Sequence, residues 1–226
     1  MTIWGRCWKI SIGPFVLALF TFLGLVPTGS FYIIMVMPKR VDHDMRRTQL
    51  ADAAIMAIDT HGLDAVRLVD VAKAAKLTTG AVVHYLHNKD EVLLAAFDEV
   101  CARTLVRIGS TQGEDLIEQA MRYLPHDEET SREWRVFLQF WGRGVTDPVF
   151  RARHKVAYET IAEMLRLELE AQELRDVAVL ADAIIAAVDG VALRVAMEAD
   201  AWPQTRMRKT LTTLLDPLIA AHTSSH

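Results

Sequence analysis

Apolar residues recur at helical spacing through most of this chain, and nowhere do they alternate with polar ones over a strand-length run. Residues 45–60 form a first amphipathic helix, with Leu50, Ala53, Ala54, Ala57 and Ile58 on one side and His61-Gly62 as its stop. Two short elements follow between Arg67 and Lys89. Val71, Ala72 and Ala75 give the first an apolar side, Leu77 sits in a turn, and Thr78 and Thr79 can cap the second by accepting from its free N–H groups. Gly80 and Ala81 leave the start of that second element uncluttered; Val82 can face inward while His84 and Tyr85 point elsewhere. Asn88 with Glu91 three residues on marks the start of another helix, over residues 90–108.

Beyond a linker at 109–113 the pattern predicts helix broken by short turns. Residues 116–124 stop at Pro125, residues 126–130 read as an acidic loop, and residues 134–143 carry a dense apolar face. Asp147-Pro148 restarts a helix that runs to residue 171, Pro being suited to a first helical position. An alanine-rich helix at 176–197, a Trp202-Pro203 turn and a last helix at 205–221 complete the chain. The fold class is all-α. Three parts are expected: an apolar extension at 1–36, a helix-turn-helix unit at 37–89, and a longer helical domain at 90–226.

The extension stands apart. An apolar run from Ile10 to Val26 follows Arg6 and Lys9, and Pro14, Gly24, Pro27 and Gly29 interrupt the segment. It is about as long as a signal-peptide core and marginal for a membrane span. Three readings remain open: a translation start placed upstream of a true start at Met37, a membrane anchor, or a cleaved signal. An anchor would make the chain a membrane-associated helical interaction protein, the alternative to the reading below.

Composition narrows the chemistry. The 226 residues are 51% hydrophobic and 24% charged, enough for real cores. A net charge of -4 argues against coating nucleic acid by bulk charge. Between Pro38 and Lys89, however, eight basic residues face six acidic ones, a modest local excess. Two distant cysteines, Cys7 and Cys101, build neither a disulfide framework nor a zinc site, and a reducing, cytoplasmic setting is expected. His84 and His87 lack further metal ligands, no nucleophile–base–acid spacing suggests an enzyme, and no glycine-rich phosphate loop occurs. No metal and no cofactor is expected.

The segment VAKAAKLTTGAVVHYLHNKDEVL resembles the helix-turn-helix of tetracycline-repressor-like (TetR-like) transcriptional regulators. Val71, Ala72, Ala75, Leu77, Thr78, Gly80, Tyr85, Lys89 and Val92 match their pattern or replace like with like. Lys76 stands where the turn glycine is usual, Val83 replaces a common tyrosine, Leu86 a phenylalanine, and Arg67 a capping threonine. The second half, with WRVFLQFWGRGVTDPVF and LADAIIAAVDGVALRVAM, resembles the C-terminal domain of the betaine-regulator (BetI-like) branch, with Ala192 in place of a tryptophan.

The resemblance implies a dimeric repressor on a pseudo-palindromic double-stranded DNA operator, released by a small-molecule effector. It implies that Thr79, Ala81 and His84 lie near base edges and that Tyr85 and Lys89 meet phosphate. Thr78 and Gly80 belong to the same DNA-facing turn, and Arg46 and Arg47 are placed to reach phosphates from the first helix. Trp134, Phe137, Phe140, Trp141 and Tyr158 could wall an effector pocket, choline or a related quaternary ammonium compound being the first candidate because aromatic faces attract cations. Ala183, Ala187 and Gly190 would let two copies of the alanine-rich helix approach closely.

Overall fold

The computed structural model describes residues 38–110, 113 and 115–223, with side chains from Met45 onward. The chain falls into two compact units, Met1–Arg46 and Arg47–His226, and the second is the one described here. The expectations for residues 1–36 and for a start at Met37 lie outside the described residues. Among the described residues no helix is long and apolar enough to cross a membrane, and none is a strand.

Among the described residues nine α-helices follow one another: α1 Pro38–His61, α2 Leu68–Ala75, α3 Thr79–Tyr85, α4 Lys89–Gly109, α5 Leu116–Tyr123, α6 Glu128–Thr146, α7 Pro148–Ala171, α8 Val177–Met197 and α9 Gln204–His222. A 3-10 turn, Ala199–Ala201, precedes the last. Leu50, Ala54 and Ile58 of α1 pack with Val71 and Ala72 of α2, Val82 of α3, and Leu93, Ala96 and Phe97 of α4 in a core that continues into the C-terminal helices. There Leu180, Ala181 and Ala192 of α8 and Leu211 and Leu215 of α9 are fully buried.

One expected loop is helix. The acidic residues at 126–130 straddle the start of α6: the Asp127 carboxylate accepts from Thr130 N at 2.8 Å, and Glu128 and Glu129 form the first turn. Acidic side chains there offset the positive end of the helix dipole, so their charge marks a helix start. α6 therefore runs on both sides of the predicted 134–143 segment.

Candidate DNA-binding surface and effector cavity

Local polar bonds shape the helix-turn-helix. The Asp70 carboxylate accepts from the Arg67 backbone N–H at 3.0 Å and from its guanidinium, tying off the start of α2. That guanidinium holds the Asp70 carboxyl at about 2, well below the usual carboxylate range. Lys76 ends α2 in the left-handed region (φ 55°, ψ 40°), so the turn is made by a residue with a Cβ at some strain. Thr78 Oγ1 then accepts from Ala81 N at 3.2 Å and caps α3. Asn88 Oδ1 accepts from Glu91 N at 2.9 Å and caps α4.

The outward side of α3 carries the predicted DNA residues. Thr78, Thr79, Gly80 and His84 are exposed, Ala81 and Tyr85 half-buried, and Val82 fully buried. A Cβ added to Gly80 would come no nearer than 3.9 Å to a heavy atom, that of Thr78 Oγ1. Among the described residues nothing requires a glycine there. Arg47 Nη1 donates to the Tyr85 carbonyl at 3.3 Å, bringing one predicted phosphate contact beside another. Lys89 Nζ donates to the Asp64 carbonyl at 2.6 Å, which leaves two of its three protons for other acceptors. Arg46 belongs to the first unit and is exposed on α1.

The aromatic residues of α6 divide. Trp134, Phe137 and Phe140 are buried, and their rings pack on one another and on Phe97 and Phe150 at centroid separations of 4.9–5.9 Å. None of the three is in the wall of the cavity between α4, α5, α7 and α8. Tyr158 is, and Trp141 reaches it only through a ring contact at 6.2 Å.

That cavity, of about 80 Å³, lies between α4, α5, α7 and α8. Its walls are largely aliphatic, and of its polar groups Tyr158 was expected while Asp189, Tyr123, Gln119 and Glu168 were not. Asp189 accepts from Tyr123 Oη at 3.1 Å and from Tyr158 Oη at 2.8 Å. Gln119 donates to Glu168 on the same wall. Burial pushes the Asp189 carboxyl up to about 6 against the two tyrosine hydrogen bonds, and pushes both tyrosines up as well. The signal for Asp189 was an acid set between apolar neighbours, Val188 and Val191, on an otherwise alanine-rich helix.

α6 joins this region to the helix-turn-helix. On one side Trp134 Nε1 donates to the Tyr123 carbonyl at 2.8 Å. On the other, Arg135 binds Asp59 of α1 at 2.6 and 3.0 Å, and Arg132 adds a contact at 3.3 Å. The Arg135 hydrogen bond is the chief cause of the lowered Asp59 pKa. Gln139 Oε1 accepts from Leu63 N at 2.6 Å, and Arg143 lies 3.4 Å from Asp64. Spacings of three and four residues put these four polar side chains on one face.

On α8, Val179, Ala183, Ala186, Gly190, Leu193 and Met197 follow at alternating four- and three-residue steps. Val179 is 67% exposed and Met197 72%, and a Cβ on Gly190 would meet nothing within 4 Å. Ala183 belongs to this stripe. Ala187 is half-buried against its own core.

Comparison with known proteins bears on both regions. Residues 50–96 match the family described as bacterial regulatory proteins, tetR family, and residues 114–220 match the C-terminal domain of BetI-type transcriptional repressors. The HTH-type transcriptional regulator PksA of Bacillus subtilis is 30% identical over 77% of this chain and 90% of its own length. A BetI regulator of Paraburkholderia phymatum is 28% identical over 81% of this chain and 98% of its own. Among solved structures, a transcriptional regulator from Rhodococcus sp. Rha1 superposes with a TM-score of 0.72 at 25% identity, covering 80% of this chain and 99% of that one. A regulator from Saccharomonospora viridis, solved in complex with choline, gives 0.63 at 22%, covering 76% and 96%.

Proposed function

Because this chain belongs to the tetR family of bacterial regulatory proteins and is a DNA-binding transcriptional regulator, we propose that two copies of it repress from a two-fold operator and are released when a small molecule fills the α4/α5/α7/α8 cavity. Each copy places α3 in the major groove, with Thr79, Ala81 and His84 toward base edges and Arg47, Tyr85 and Lys89 toward phosphate. The observation that carries this reading is Gly80. A close approach from outside the chain, at the start of an exposed helix capped by Thr78, accounts for a glycine that no contact among the described residues requires. Gly190 supports pairing in the same way, at the middle of the apolar stripe on α8.

Release follows from α6. Its apolar side is bonded to Tyr123 in the cavity wall, and its polar side grips Asp59, Leu63 and Asp64. A ligand that prefers the DNA-free arrangement a hundredfold shifts the balance by about 2.7 kcal/mol.

Selection from a pool of randomised duplexes tests the reading. A two-fold symmetric site is expected, and His84→Ala should change the preferred bases whereas Arg47→Ala should weaken all sites alike. Ala183→Glu should give monomers that no longer hold the site. An asymmetric consensus, or base preferences indifferent to His84, would defeat it.

A further inference from the structure

We propose that the cavity between α4, α5, α7 and α8 takes a protonated amine with a hydrocarbon body, whose N–H is bound by the Asp189 carboxylate. The proposal rests on the reading of this cavity as the effector site.

Each Asp189 oxygen receives one tyrosine hydroxyl, from Tyr123 and from Tyr158. A carboxylate oxygen accepts two hydrogen bonds, so one acceptor position per oxygen remains. Around it stand Leu116, Ile161, Met164, Ile184 and Val188. The other acid in the wall, Glu168, is held by Gln119. Among the described residues, no lysine, arginine or histidine lines the space. An enclosed anion without a cation is costly, and a ligand that brings the missing charge relieves the cost only when bound. A neutral molecule leaves the cost in place, and an anion adds to it.

Two kinds of cation must be told apart. A quaternary ammonium ion has no N–H and is held best by ring faces. Trp134, Phe137 and Trp141 are turned to one another, Tyr123 meets Trp134 edge to face at 5.1 Å, and Tyr158 is stacked on His154 at 4.3 Å. What the cavity offers is lone pairs, and lone pairs select an N–H donor.

The groups nearby keep the charge accounting simple. Tyr123 and Tyr158 are pushed up by burial and remain neutral. Cys101 of α4 is pushed up likewise, and His154, stacked on Tyr158 at 4.3 Å, is held below its ordinary value by burial. Asp189 itself takes up a proton near pH 6 and then no longer attracts a cation.

The test is calorimetric titration and thermal shift of the full chain with four probes that share one tail: hexylamine, N,N-dimethylhexylamine, hexyltrimethylammonium and hexan-1-ol. Both amines are expected to bind at least about tenfold more tightly than the alcohol and the quaternary ion at about pH 7.5, and to lose that advantage at about pH 5. Asp189→Asn should abolish the preference, and Tyr158→Phe, which removes a hydrogen bond that lowers the Asp189 pKa, should move its loss to higher pH. Should Asp189→Asn fail to fold, the pH profile of the unaltered chain decides. The proposal is overturned if the alcohol or the quaternary ion matches the amines, or if no probe binds at millimolar concentration. Operator release separates the two readings. Release by hexan-1-ol as readily as by amine would overturn the amine assignment and leave the effector reading standing. Amine binding that leaves the operator bound would do the reverse.

Discussion

The helix-turn-helix and the C-terminal bundle are held together by different means. α2 and α3 have eight and seven residues, too few to be stable helices alone. Their geometry comes from Asp70 on the Arg67 backbone, the left-handed Lys76 and the Thr78 cap. α7, α8 and α9 have 24, 21 and 19 residues and rest on buried side chains such as Leu169, Leu180 and Leu211. Local bonds of modest strength set the reading head, and area removed from water sets the body that carries it. The body also holds buried acids that burial pushes above their ordinary range, Asp189 and Glu133.

The contrast can be broken most severely at Trp134. Trp134→Ala would remove a buried indole and its bond to Tyr123, and should destabilise by about 3–5 kcal/mol in denaturant unfolding. Asp189→Asn should act in the opposite direction. The folded pKa of Asp189 is raised, so its contribution favours folding at low pH and is lost as pH rises from about 4 to about 6. The asparagine variant should therefore be the more stable above pH 6, by more than about 1 kcal/mol. A variant less stable than the unaltered chain above pH 6 would show that the carboxylate is not strained.

Smaller effects belong to the reading head. Thr78→Ala should cost about 1 kcal/mol, visible as faster amide exchange in α3 while the bundle keeps its protection. Lys76→Gly should stabilise by about 0.5–1 kcal/mol, since glycine meets φ 55° without steric penalty. A destabilised Lys76→Gly would mean that the lysine side chain contributes more than its backbone costs.

The same division governs what could be read from residues alone. Thr78, Asn88 and the strained Lys76 were legible because a cap or a turn is decided within four residues of chain. Helix spans were legible to within a turn, apart from α1, which begins at Pro38 rather than at the expected Met45, and α6, whose acidic first turn resembled a loop. Periodicity identified the apolar face of α6 but not what it faces, so Trp134, Phe137 and Phe140 suggested a pocket and proved to lie in the core. The cavity depends on Asp189, Tyr123 and Tyr158 meeting from three helices 31 to 66 residues apart. No local pattern encodes that meeting.

Ionic strength acts on this protein in two places. Phosphate contacts release counterions, and each contributes close to one unit to the slope of log affinity against log salt. The α6 pairs of Asp59 with Arg132 and Arg135, and of Asp64 with Arg143, are themselves partly in water, where a Debye length of about 8 Å at physiological salt weakens them. Salt therefore loosens the mounting of the reading head as it strips the head from DNA. Arg135→Gln removes one of these pairs without touching DNA, and a change in the slope of that variant would measure how much the mounting adds to it.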